Sequence, residues 1–343
     1  MTRDTDSSSA SSGRAGGGWR PEILAGGKGA GERHPPVTIL LSVCNGEAFL
    51  NRQLDSFLDQ SLKGWSVLWR DDGSSDASYS IMQSFQMHRG AGRCEEAEDP
   101  ASVRFSQERM GIFASYLHLL SQAPEGGMIA FSDQDDVWLT DKLARGAAAL
   151  ARVPEGVPGL YCARQTLTDR HLTPFGVSPE LPEHPDLLAA LTGNIATGCT
   201  VMLNDAARRL LLRHEPPPLI LHDWWAYLLV SAAGGQVLTD QQPVVLYRQH
   251  GGNAVGAPPS FFRRALSALR RGPRRFMQVF RSNLSWLMRI EELSAETRNM
   301  LGAILRAANG PRMLRLWIFR RWPGLRRLYR AENLLFRLWI LLG

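Results

Sequence analysis

The sequence predicts an α/β protein, a mixed and mainly parallel sheet flanked by helices, with a basic helical extension towards its C-terminal end. Apolar, β-branched runs alternate with segments of helical period from Val37 onward. Acidic groups stand directly after two of those runs, and beyond Pro258 the composition turns to Arg interleaved with Leu, Phe and Trp. At 343 residues the chain can form one large domain with appendages, or two domains.

Residues 1–35 are rich in Ser, Gly and Ala with few apolar side chains, so a disordered leader is expected. An ordered domain is expected over 36–257. It begins with Val37–Val43, a run of the kind covered on both faces of a sheet. Asn45-Gly46 turns the chain, and Phe49, Leu50, Leu54, Phe57 and Leu58 then recur at helical spacing. A second strand at 65–70 runs into Asp71-Asp72-Gly73-Ser74-Ser75-Asp76, with a helix over 77–87. A third strand is expected at 103–105, a helix at 112–121, and a fourth strand at 128–131 that ends on acidic residues. This alternation implies a parallel sheet, whose ligands bind beyond strand C-terminal ends. Further along, a helix at 185–191, a strand at 201–203, a helix from Asp223 and a strand at 244–248 are expected.

Composition narrows the classes. An apolar fraction of 44% and a charged fraction of 21% exclude collagen-like and wholly disordered chains. The four cysteines lie far apart, without metal spacing, which fits a reduced, cytosolic compartment. No run of roughly 18 apolar residues interrupts the sequence.

Phe131-Ser132-Asp133-Gln134-Asp135-Asp136-Val137-Trp138 puts three carboxylates in four positions after a buried-looking strand. Hard divalent cations take oxygen ligands, and at an extended strand end Asp133 and Asp135 point to one side, where both can hold an ion that meets a diphosphate. A solvated acidic turn has the same composition; the place after a strand favours the ion. Among Asp71 to Asp76, Ser75 or Asp76 can cap the next helix, which leaves Asp72 to accept hydrogen bonds from a nucleobase imide. Leu221-His222-Asp223-Trp224-Trp225 sets a carboxylate among aromatics, a setting that raises its pKa towards general-base range; the other reading is a helix cap beside core aromatics. His250 is either an ordinary surface or core histidine or a neutral imidazole that joins Asp135 on the ion.

Taken in order, ILLSVCNGEAFLNRQLDSFLDQS from Ile39, RDDGSSD from Arg70, FSDQDDVWLTDKL from Phe131, TGCT from Thr197, HDWW from His222 and YRQHGGN from Tyr247 resemble glycosyltransferase family 2. The likeness covers residues 37–256 and is closest to the bacterial rhamnosyltransferase-like members. It implies a GT-A (Rossmann-like) fold and an inverting transfer, in which an acceptor hydroxyl displaces the nucleoside diphosphate of a dTDP-sugar or UDP-sugar in one in-line step. It implies Ser42, Asn45, Glu47 and Asp72 as nucleotide contacts, with Asp72 facing the base. Asp135 is the implied ligand of Mg²⁺ or Mn²⁺, Asp133 a ribose or metal contact, His250 a later metal or diphosphate contact, and Asp223 the catalytic base. Trp224 and Trp225 are candidates for stacking on sugar faces. The chain departs from the family at Cys44, where an aromatic is frequent, and at Glu108-Arg109-Met110-Gly111, where relatives usually carry Asn.

From Ala257 to Gly343 there are 18 Arg and 4 Glu, a charge of +14, which against the total of +6 leaves −8 for the first 256 residues. The basic amphipathic helices expected over 258–343 suit an anionic membrane surface, or pack on the preceding domain. No nucleic-acid module accompanies them, so no nucleic-acid partner is expected. The combined expectation is a cytoplasmic enzyme, peripheral at the inner face of the membrane, that glycosylates a saccharide or lipid-linked saccharide for a bacterial surface polysaccharide. Two competing readings are a metal-dependent nucleotidyltransferase and an inert membrane-associated scaffold. The first wants a Gly-rich, basic triphosphate loop near the first strand, which this chain lacks; retention of Asp223 beside the metal carboxylates argues against the second.

Overall fold

The computed structural model describes residues 34–88, 93–98, 109–218, 220–251, 261–327 and 330–343. The expected leader up to residue 33, the strand at 103–105 and the boundary near residue 257 lie outside the described residues.

Nine strands form one sheet among the described residues: β1 (Val37–Val43), β2 (Trp65–Asp71), β3 (Arg93–Glu96), β4 (Met128–Ser132), β5 (Val137–Trp138), β6 (Gly159–Thr168), β7 (Pro174–Val177), β8 (Met202–Leu203) and β9 (Gln236–Arg248). Their order is β3-β2-β1-β4-β8-β6-β9-β5, with β7 beside β6. The β3, β2, β1 and β4 half is parallel, as the βαβα alternation predicts. The short β8 pairs antiparallel with both β4 and β6, and β6 runs parallel to β9, so the sheet is mixed.

The helices are α1 (Glu47–Leu58), α2 (Ser78–His88), α3 (Ile112–Gln122), α4 (Lys142–Leu150), α5 (Leu187–Thr192), α6 (Asp205–Arg213), α7 (His222–Ala232), α8 (Phe261–Leu287), α9 (Ala295–Asn309), α10 (Arg312–Arg321) and α11 (Arg330–Leu342). Alternation along β1 feeds two cores. Ile39, Leu41 and Val43 face Leu50 and Phe57 of α1, Met82 of α2 and Leu143 of α4. Leu40 joins Phe131, Tyr116 of α3, Leu210 of α6 and Trp225 of α7. That second core continues through Phe280 and Leu284 of α8, Leu301 of α9 and Phe336 of α11, so the basic C-terminal helices pack on the α/β layer. Gly272, at a φ of 71°, breaks α8 just before Pro273, which cannot continue a helix through its missing N–H.

β9 starts at Gln236 rather than Val244, and β3, β5, β6, β7, α4 and α6 have no counterpart among the expected elements.

Candidate active site

Because β1, β2, β4, β6 and β9 all run the same way, their C-terminal ends share one edge of the sheet. That edge gathers the turn after β1, Asp71-Asp72, the acidic segment after β4, and Arg248 to His250. Asn45 sits at a φ of 51°, a conformation Asn tolerates better than most residues. The Gln134 amide holds the same turn from the other side: its Nε2 donates to Cys44 O at 2.9 Å and its Oε1 accepts from Cys44 N at 2.7 Å. A Cβ on Gly46 would lie 2.5 Å from that Oε1, so a larger residue there would push the Gln134 amide off its Cys44 contacts.

The expected nucleotide contacts have structural partners of their own. Asn45 Oδ1 accepts from Ser75 N at 2.8 Å, and Glu47 Oε2 accepts from Ala77 N at 2.8 Å, which ties the turns after β1 and β2 together. Asp76, one of the two expected caps, accepts from Ser78 N at 2.9 Å where α2 begins. Ser42 is half-buried near the end of β1, opposite Arg70. Asp72 is buried: its Oδ1 receives Arg70 Nη1 at 2.6 Å and Met110 N at 2.7 Å, and its Oδ2 receives Gly111 N at 2.9 Å. It thereby anchors the chain entering α3, close to the departure seen at 108–111.

The acidic segment is not extended. β4 ends at Ser132 and the backbone bends at 134–135, so the segment does not run on as a strand, yet the Asp135 charge still acts on Asp133. Asp135 Oδ2 lies 2.8 Å from His250 Nε2, so two residues 115 positions apart meet in a hydrogen bond. Asp133 groups instead with Asp136 and Cys199, their ligand atoms within 4.8 Å of one another. Tyr116 Oη donates to Ser132 O at 2.5 Å and to Asp133 Oδ1 at 3.3 Å. Asp136 is wholly buried; its Oδ1 accepts from Arg248 N at 3.0 Å, and its Oδ2 has no hydrogen-bond partner. Lys142, also wholly buried, stands 3.4 Å over the Trp138 ring.

Crowding of like charge in a dry setting shifts these groups. Burial, then the charges of Asp135 and Asp223, raises the Asp133 carboxyl. Burial, then Asp135 and Asp133, raises Asp136. Burial pushes the Lys142 ammonium down to about 7, against the pull of Cys199, Asp136 and Asp133. A divalent cation would relieve this repulsion. Asp135 and His250 offer converging oxygen and imidazole donors, a set that fits Mg²⁺ or Mn²⁺. The Cys199 thiol does not compete, since burial holds its pKa well above the usual range.

Asp223 stands in the first turn of α7, and its electrostatic reach to Asp133 places it by the same cluster. Its Oδ2 accepts from Gly198 N at 3.0 Å and its Oδ1 from Trp224 N at 2.6 Å. Burial raises its pKa to about 6, while those N–H donors pull it back. Leu221 occupies the α7 N-cap position, but Asp223 still accepts from a first-turn N–H of the helix, so part of the cap reading stands beside the functional one. Neighbouring His222 stacks on Tyr116 at 3.9 Å and is kept neutral by burial, its pKa near 3. The aromatics divide. Trp225 is wholly buried core and cannot stack on a sugar, whereas Trp224 is half-buried, with its Nε1 donating to Ala190 O at 2.8 Å.

Gln134, Asp136, Lys142, Cys199 and Tyr116 were not singled out by sequence. The first four lie inside the segments FSDQDDVWLTDKL and TGCT; Asp136 belongs to the acidic run itself, and no pattern in the sequence marks Lys142.

Comparison with known proteins bears on the fold and the family. The chain is 28% identical over 111 residues to a Bacillus subtilis protein named as a teichuronic acid biosynthesis glycosyltransferase, TuaG, and 29% identical over 118 residues to the B. subtilis glycosyltransferase EpsE. These matches take in 32% and 34% of this chain and 40% and 39% of the relatives, so the chain spans about two fifths of each relative's length. Among solved structures, S. aureus TarS 1–349 with UDP-GlcNAc superposes at a TM-score of 0.54 and 13% identity, covering 84% of this chain and 78% of TarS. GalNAc-T7 with UDP, GalNAc and Mn²⁺ superposes at 0.51 and 12% identity, covering 81% and 51%. The fold is GT-A. The sequence pattern of glycosyl transferase family 2 matches residues 38–209, half of the chain, and the protein belongs to that family.

Proposed function

We propose that this chain is an inverting, metal-dependent glycosyltransferase that moves a sugar from a dTDP-sugar or UDP-sugar to a saccharide or lipid-linked saccharide, in bacterial surface polysaccharide synthesis. The observation that carries the reading is the meeting of Asp135 and His250 at 2.8 Å beside carboxylates whose mutual repulsion calls for a cation. The family, and relatives named for teichuronic acid biosynthesis, support the polysaccharide setting. Work at the inner face of the cytoplasmic membrane follows from the basic C-terminal helices. Rhamnose is the candidate sugar only through the resemblance of the motifs.

Each residue then has a task. Ser42, Asn45 and Glu47 border the nucleotide along the turn after β1, and Asp72 meets the base through the remaining acceptor capacity of its carboxylate. Asp135 and His250 would hold Mg²⁺ or Mn²⁺, which when bound supplies charge neutralisation on the departing diphosphate, with Asp133 completing the ion or ribose contacts. Asp223 takes the proton of the attacking hydroxyl; a pKa of about 6 leaves it ionised at neutral pH yet more basic than an ordinary aspartate. Gly198 N and Trp224 N hold the carboxylate in place for that transfer.

The test is a panel of dTDP-, UDP- and GDP-sugars with Mg²⁺ or Mn²⁺, scoring nucleoside diphosphate release by wild type and Asp223→Asn. Ion-dependent release that the variant abolishes is expected. Activity without a divalent ion, or an unimpaired variant, would refute the mechanism; pyrophosphate release would instead mark a nucleotidyltransferase.

A further inference from the structure

We propose that the outward faces of α10 and α11 form a docking surface for an anionic lipid bilayer, an inference that rests on the transferase reading only for its purpose, access to a lipid-linked acceptor. The two helices form one unit: the Phe319 and Phe336 rings lie 5.7 Å apart, and Arg315 Nη1 donates to Ile340 O at 3.2 Å. Their inner sides, with Ile318, Phe336, Trp339 and Ile340, are buried. The outer sides are apolar too. Met313, Leu316 and Trp317 follow one another at helical spacing on α10, as do Leu334, Leu338 and Leu342 on α11, and all six are exposed, Met313 by 77% and Leu334 by 72%. Of 13 exposed large apolar side chains among the described residues, seven fall within residues 312–342, so the exposure is concentrated rather than scattered.

Charge decides what covers this face. Residues 312–342 hold eight Arg and one Glu. Arg312, Arg320, Arg321, Arg330 and Arg337 are exposed around the apolar side chains. A second copy would bring like charges together. A nucleic acid would satisfy the arginines but bury no leucines. A bilayer with anionic headgroups answers both needs: Arg at headgroup level, Trp317 at the interface, and Met313 and the leucines in the acyl boundary. No helix among the described residues is long and apolar enough to cross a membrane, which agrees with helices that lie on the surface.

Sedimentation of the full chain with lipid vesicles, without donor, tests the proposal apart from any transferase activity. Wild type is expected on vesicles containing phosphatidylglycerol, more weakly at high salt, and not on phosphatidylcholine alone. Arg312→Gln/Arg320→Gln/Arg321→Gln should lower partitioning about a hundredfold, and Met313→Gln/Trp317→Gln about tenfold. Both variants should keep the wild-type thermal transition and nucleoside diphosphate release on a soluble acceptor. Absence of wild-type binding, unchanged binding by folded variants, salt-independent binding, dimerisation through this face, or preference for single-stranded RNA over vesicles would overturn it.

Discussion

Asp223 makes a quantitative prediction because its environment is costly. The side chain is 7% exposed, and burial raises its pKa to about 6. An aspartate of the unfolded chain titrates near 3.9, so about two units separate the states, or roughly 3 kcal/mol. Between about pH 4 and pH 6 the folded protein keeps a proton that the unfolded chain has lost. Stability therefore falls as pH rises through that window, and the whole cost is present above it. Asp223→Asn removes the cost but turns an amide N–H₂ towards Gly198 N or Trp224 N, a loss of about 1 to 2 kcal/mol. The variant should be about 1 kcal/mol more stable than wild type near pH 8 and less stable near pH 4, by urea unfolding. Its kcat should fall by roughly 10²- to 10⁴-fold. Wild-type kcat/KM should climb with pH and level off above about 6. A folded variant within about tenfold of the wild-type rate, or a profile without that acidic limb, would refute Asp223 as the base.

Other residues make further predictions. Arg70→Met leaves the Asp72 carboxylate buried with main-chain donors alone, and should cost about 3 kcal/mol by urea unfolding. Gln134→Leu removes both hydrogen bonds to the Cys44 backbone; a loss of about 1 to 3 kcal/mol and a raised donor KM are expected, from unfolding and initial-rate measurements. Asp135→Asn and His250→Ala should each raise the Mn²⁺ concentration for half-maximal rate by at least about tenfold, read from metal titrations of activity.

The parallel half of the fold was legible because β1, β2 and β4 are buried on both faces and read as apolar runs. β6 escaped because it carries polar residues that the fold satisfies at a distance. Arg164 donates to Ser178 O at 2.9 Å through Nε, and Gln165 is buried with its N–H donating to Ser178 Oγ at 2.9 Å. The first part of β9 escaped because its side chains are largely exposed or half-exposed, leaving no periodic signal before Val244. In the site, the order of the motifs suggested Asp135 and His250 as ligands of one ion; their closeness across 115 residues, a hydrogen bond at 2.8 Å, could not be read from spacing. The extended Asp133-x-Asp135 geometry failed because a local strand argument does not foresee the bend at 134–135 that the Gln134 clamp on Cys44 accompanies. Nor does periodicity tell Trp224 from Trp225; α7 packs on the sheet, and that burial separates them.

The stereochemistry of transfer tests the central claim most directly. With the preferred donor, the anomeric configuration of the first-formed product can be read by proton NMR. A single in-line displacement with Asp223 as base predicts inversion relative to the donor sugar. A product that retains the donor's configuration would contradict it.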